Sequence, residues 1–226
     1  MSPAAVKPLP QRLAWLAALS AGGFALPFLF ADRLALPRNL YLVPFLLGAG
    51  ALVAAYARWS AIRPVPFLLH RWGWGLLGGA VAGGLVVANV LGQPASAGPG
   101  GAALAFNVLW LGLLYGAVDA ALLNVVPAHA LLAGLGAGGA AAGWSRRLGW
   151  GVAALLASLA VTAAYHLGYA EFRGAGVAGP LIGNAILTLA YLLTGSPLAP
   201  VLGHVAMHVA AVLHGFSTAV QLPPHL

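Results

Sequence analysis

The sequence predicts an all-α fold, a polytopic membrane bundle of about seven transmembrane helices. Three observations carry that reading. Hydrophobic residues make up 62% of the 226-residue chain and charged residues only 6%, where soluble domains carry about a quarter charged residues. Mean hydropathy is +0.94, and the apolar residues fall into long uncharged runs. Finally, four consecutive runs in the C-terminal half bear polar stripes: Tyr115/Asp119, Ser158/Thr162/His166, Asn184/Thr188/Tyr191 and His204/His208. Residues three, four and seven apart share a helix face. Polar groups inside a bilayer turn toward the bundle interior, so the stripes predict one shared polar pocket.

A spanning helix needs about 20 mostly apolar residues. Seven runs qualify, at roughly 12–31, 39–57, 72–92, 102–126, 148–169, 178–195 and 197–216. The first follows Lys7 and Arg12. Its apolar stretch Leu13–Phe30 is too long for a signal-peptide core and lacks a clear small-residue cleavage site, so it reads as a retained helix. Pro127 predicts an end or kink in the fourth helix. The segment His129–Gly143 is apolar but holds five glycines, and reads as a re-entrant or interfacial piece. Gln93–Gly101 is a Pro/Gly/Ser loop. The last two helices share the turn Thr194-Gly195-Ser196-Pro197 and should form a tight hairpin. The whole chain, 1–226, reads as one domain, with 1–93 as scaffold helices and 102–216 carrying the pocket.

The formal charge is +7, from ten Lys/Arg against Asp32, Asp119 and Glu171. The basic residues lie between apolar runs, which points to lipid headgroups as partner and away from nucleic acid. With the N-terminus inside, Lys7, Arg12, Arg58, Arg63, Arg71, Arg146 and Arg147 fall inside, and Arg33, Arg38 and Arg173 outside. That asymmetry predicts a cytoplasmic N-terminus. The Ala/Gly/Leu-rich composition suggests a bacterial inner membrane. The absence of cysteine excludes disulfides, thiolate metal sites and a cysteine nucleophile. No phosphate-binding loop, dinucleotide fingerprint, HExxH or GxSxG occurs.

Asp119 lies deep in the fourth run, where a carboxylate costs about 2.5–3.5 kcal/mol on insertion scales. It must be protonated or paired with a donor, a cation or a metal, and Tyr115 one turn earlier can donate to it. His204 and His208 are one turn apart, about 6 Å along a shared face, and can chelate Zn²⁺ or another divalent metal. A third ligand is needed. His166 is the candidate, with Asp119 as a fourth ligand or general base. The alternative for both histidines is a hydrogen bond to Asn184, Thr188 or Tyr191. That polar stripe could bind substrate backbone or join helices. His70, His129 and His225 read as solvated, and Glu171 as paired with Arg173 or with interfacial water.

The segment Thr194-Gly-Ser-Pro-Leu-Ala-Pro-Val-Leu-Gly-His204-Val-Ala-Met-His208 resembles the last motif of the CPBP family of intramembrane metalloproteases, which includes the CAAX prenyl-protein endopeptidases. In that motif a TGS turn and proline precede a histidine, with asparagine four residues on. Thr162-Ala-Ala-Tyr-His166 is similar to the middle motif, a phenylalanine with histidine four residues later. The first motif, a Glu-Glu pair followed by arginine, is degenerate: Val118-Asp119-Ala-Ala-Leu-Leu-Asn124 keeps one acid, shortened, and no arginine. The likeness covers about half the chain. It implies a divergent metallopeptidase with Asp119, His166 and His204 as catalytic residues. The metal would sit on His166, His204 and His208, and Asn184, Thr188 and Tyr191 would contact substrate. Such an enzyme would hydrolyse a peptide bond of a peptide or membrane-protein substrate at or within the bilayer. A shortened acid and a missing arginine equally suit a non-catalytic membrane scaffold or binding protein. Paired histidines leave a haem or transport protein as a further reading.

Overall fold

The computed structural model describes residues 7–136 and 143–224. Among the described residues, seven apolar helices of at least 17 residues follow in order: α1 Leu9–Arg33, α2 Arg38–Trp59, α3 Trp72–Leu91, α4 Gly101–Gly134, α5 Trp144–Leu167, α6 Gly174–Thr194 and α7 Leu198–His214. No strand occurs among the described residues beyond one isolated bridge, Ser96 to Gly215. The first six are long and apolar enough to cross a bilayer, and α7, at 17 residues, is somewhat shorter. The chain is a multi-pass membrane protein built as an all-α bundle. His225 and residues 137–142 lie outside the described residues.

Pro127 does not end α4. The helix continues to Gly134 and takes in His129, so the first half of the expected re-entrant piece is simply more helix. A proline at position 127 has no N–H for the carbonyl of Leu123 one turn back. That carbonyl is instead taken by the Ser158 hydroxyl of α5 at 2.6 Å. At 34 residues α4 is also longer than a bilayer requires. Two stretches of it, Val108–Tyr115 and Ala121–Val125, are wound as π-helix. π-turns widen a helix and are frequent at functional sites. Asp119 stands on the short α-helical piece between them, Gly116–Ala120.

Polar residues at buried positions glue α4, α5 and α6 together. Asn124 donates to Asn184 Oδ1 and to Thr188 Oγ1, both at 2.8 Å. Asn184 in turn donates to Ser158 at 3.1 Å and to Thr162. Ser158 and Thr188 share a hydroxyl contact of 2.7 Å. The single Ser158 proton is committed to the Leu123 carbonyl, so Thr188 is the donor of that pair.

The α6–α7 hairpin turns as the TGSP sequence predicts. Gly195 takes a left-handed conformation (φ 66°), and a Cβ there would meet the Arg71 guanidinium at 2.8 Å. Ser196 is fully buried and ties the turn to the His70 carbonyl at 2.8 Å. His129, expected to be solvated, sits half-buried with its Nδ1 2.8 Å from the Tyr56 hydroxyl, which also receives the buried Arg12 guanidinium at 3.1 Å. Arg173 pairs with Asp32 at 2.7 Å, across to α1.

Beyond α7 the chain doubles back over the bundle end. Arg38 donates to the carbonyls of Phe216 and Pro223, and Tyr41 to that of Pro224 at 2.9 Å. The Val220 N–H donates to Gln93 Oε1, and the Gln221 amide to Asn89 Oδ1.

Candidate metal centre

Helices α4 and α7 approach closely enough to share side chains because α4 presents glycine to α7. A Cβ on Gly116 would lie 3.2 Å from the His208 ring and 3.3 Å from the His204 carbonyl. With nothing there, α7 settles against α4 and both histidines reach the carboxylate one turn further along.

His204 Nδ1 lies 3.5 Å and His208 Nε2 3.6 Å from the same oxygen, Asp119 Oδ2. All three side chains are buried. One ligand atom from each fits within a mutual 4.8 Å. None makes a hydrogen bond: Asp119 Oδ1 and both ring nitrogens of His204 and His208 are without partners, and the Gln221 backbone facing His208 falls short of hydrogen-bond geometry. Buried polar atoms left unpaired are rare, and a bound ion or water would satisfy them. Two imidazoles and a carboxylate are the donor set of catalytic zinc sites, with bonds of about 2.0–2.2 Å. Tetrahedral bonds of that length set ligand atoms about 3.4 Å apart, close to the separations observed. The two histidine rings lie 5.8 Å apart on one helix face and address one point. That suits a single small ion better than the two sides of a haem plane.

The group opens into a cavity of about 270 Å³ between α3, α4, α6 and α7. His166 and Asn184 also line it, and Val220 and Gln221 of the returning tail close one end. At its rim, Leu85 and Ile182 are exposed on the outer surface of the bundle. The lining comes from the C-terminal ends of α3 and α5 and the N-terminal end of α6, so the cavity lies toward the face opposite the N-terminus.

The sequence-expected residues divide into three groups. Asp119, His204 and His208 converge. His166 faces the same cavity but stands outside the three-residue group, and its Nδ1 is held by the Thr162 carbonyl one turn back at 2.9 Å. A carbonyl only accepts, so Nδ1 carries the proton and Nε2 is a lone pair. Asn184 and Thr188 have their donors engaged in the interhelical network, while Tyr191 packs with Ala128 and Ala154 away from the cavity wall.

Tyr115 does not donate to Asp119. Its ring stands edge-on to His208 at 4.7 Å and its hydroxyl meets Tyr165 at 2.7 Å. From there a ladder runs outward, Tyr165 to Tyr169 at 2.8 Å and Tyr169 to Tyr41. Burial, with Tyr115 nearby, holds the Tyr169 phenol well above its ordinary pKa, so it keeps its proton. Each phenol has one hydrogen, and Tyr41 gives its own to Pro224. Tyr169 must then donate to Tyr41, Tyr165 to Tyr169 and Tyr115 to Tyr165. Tyr165 and Tyr169 were visible in sequence as an i,i+4 pair: Tyr165 lies seven residues beyond Ser158 and three beyond Thr162, on the same buried face of α5, and Tyr169 follows just past the helix end.

Taken together, fold and site define a multi-pass helical membrane protein with a buried, cavity-lining Asp–His–His cluster. The chain matches no family model, no curated protein and no solved structure.

Proposed function

We propose that the protein is an intramembrane metal-dependent hydrolase, a divergent relative of the CPBP metallopeptidases, which hydrolyses a peptide bond at or within the bilayer. One observation carries the reading. Asp119, His204 and His208 each bring one ligand atom to a shared buried point beside a cavity, and none of the three side chains makes a hydrogen bond. The sequence resemblance supports the same assignment, since these positions align with the family's acid, histidine and asparagine.

Asp119 Oδ2, His204 Nδ1 and His208 Nε2 would hold a divalent ion, Zn²⁺ by donor set. Bound there, the ion supplies Lewis acidity toward a carbonyl and lowers the pKa of water. His166 supplies proton transfer: its Nε2 lone pair accepts the proton of the attacking water, and the imidazolium then returns it to the leaving amine. Thr162 fixes the ring through Nδ1–H, so both transfers use one atom. The apolar walls, including Leu187 and Met207, restrict bulk water.

The test is elemental analysis of detergent-purified protein, with cleavage of a panel of membrane-embedded peptides. The expected result is one divalent ion per chain, lost in His204→Ala, and cleavage lost in His166→Ala with the ion retained. A chain that binds no ion in either form overturns the reading.

A second reading rests on the Asn124–Ser158–Thr162–Asn184–Thr188 network, whose donors are all engaged in joining helices. On it, the protein is a non-catalytic membrane scaffold. Bound metal without cleavage of any peptide favours this one.

A further inference from the structure

At the opposite face of the membrane from the cavity, α1 and α2 leave a surface groove of about 330 Å³ lined by Gln11, Ala14, Trp15, Ala18 and Trp59. Gln11, Ala14/Trp15 and Ala18 form one stripe along α1, and the two alanines are exposed, so the groove has a floor of small residues between two indole walls. Two cations stand at its end. The Lys7 ammonium lies 5.8 Å and the Arg12 guanidinium 5.5 Å from the centre of the Trp59 ring. Arg12 also donates to the Lys7 carbonyl, which joins the two into one unit.

These cations have no carboxylate to answer them. The chain has three acids. Asp32 is engaged with Arg173, Asp119 lies in mid-bundle with the histidines, and Glu171 follows α5 at the other face. The alternation of helices instead gathers Lys7, Arg12, Arg58, Arg63, Arg71, Arg146 and Arg147 at the N-terminal face, where no acid is present. An apolar trough that ends in uncompensated positive charge, at headgroup depth, complements a molecule with an acyl chain and an anionic head.

We infer that this groove is a binding site for one anionic phospholipid. Its phosphate meets Lys7 over Trp59, with the buried Arg12 guanidinium behind the ring adding positive potential, and one acyl chain lies along Ala14 and Ala18. A zwitterionic lipid fits the trough equally but carries an ammonium toward the two cations. Free phosphate satisfies the charge and leaves the trough empty.

Full-length protein in detergent is titrated with phosphatidylglycerol or phosphatidylcholine of matched chains and read by native mass spectrometry. One phosphatidylglycerol should be retained per chain in preference to phosphatidylcholine, and Lys7→Gln should reduce that preference about fivefold. Ala18→Phe fills the trough from an exposed position without touching the core, and should abolish retention of both lipids. Arg63→Gln, an exposed cation on the same face, should leave retention unchanged, and millimolar inorganic phosphate should not displace the lipid. Equal retention of the two lipids by the natural sequence overturns the inference. So does undiminished retention in Ala18→Phe, an Arg63→Gln effect as large as that of Lys7→Gln, or displacement by phosphate.

Discussion

The side-chain amides of Asn124 on α4 and Asn184 on α6 meet head-on, Nδ2 to Oδ1 at 2.8 Å, with both residues buried. Inside a bilayer such a pair has no water to fall back on, so each partner depends on the other. Asn184→Ala leaves the Asn124 amide with Thr188 and the Asn184 carbonyl, and removes donors from Ser158 and Thr162. A buried hydrogen-bonding group left short costs about 1–3 kcal/mol. The measured outcome should be a lower thermal midpoint in detergent, with metal content unchanged where the fold survives.

Ser158 and Pro127 are coupled through the Leu123 carbonyl. Ser158→Ala strips that carbonyl of its partner and should destabilise by about 1–3 kcal/mol. Pro127→Ala restores a backbone N–H one turn along, able to take the same carbonyl. The double variant should therefore be less destabilised than the sum of the singles. A double-mutant cycle on thermal or denaturant unfolding measures the difference, and strict additivity would contradict the coupling.

Gly116 sets the distance between α4 and the histidine pair. Gly116→Val should force the helices apart at a cost of about 1–3 kcal/mol and lower metal retention in the same sample. Gly84→Ala on α3, where an added methyl meets nothing within 4 Å, is the control and should be silent in both measurements.

Metal removal should destabilise the bundle, because an ion that binds only the folded cluster adds about 2.7 kcal/mol when present at a hundred times its dissociation constant. Chelation should therefore lower the thermal midpoint of the natural sequence. Asp119→Asn, which keeps the shape but removes the charge, should show little further loss on chelation.

Much of this architecture was legible from one periodicity. Run length alone located seven helices, and the four polar stripes named residues that do turn inward, with Asp119, His204 and His208 converging. The TGSP turn was likewise readable, because a left-handed glycine before a helix-starting proline leaves few alternatives. What escaped depends on partners in other helices. Pro127 predicted an end or a kink; the helix does not end there, and the carbonyl that the proline leaves without a backbone N–H is taken by a serine on α5 that no local pattern reveals. The π-turns on either side of Asp119 leave no mark in the apolar pattern. Tyr115 was assigned to Asp119 by its spacing on an ideal helix, and the neighbouring Tyr165 captured it. His166 was counted as a ligand from its position; it does line the cavity, and a carbonyl on its own helix fixes its ring. The tail that walls the cavity drew no expectation, because its place is set by Gln93, Asn89, Arg38 and Tyr41 on other elements.

The tyrosine ladder has a further implication for what the cavity can accept. Its proton order is imposed from the far end by the Pro224 carbonyl, so the innermost phenol oxygen presents only lone pairs to the chamber beside His208. A guest that arrives with its own hydrogen, as water or an amide N–H does, finds an acceptor waiting. From this phenol a bare carbonyl or carboxylate receives no hydrogen unless all four phenols rotate together, so the tyrosine ladder sets the hydrogen-bond polarity of that one part of the wall.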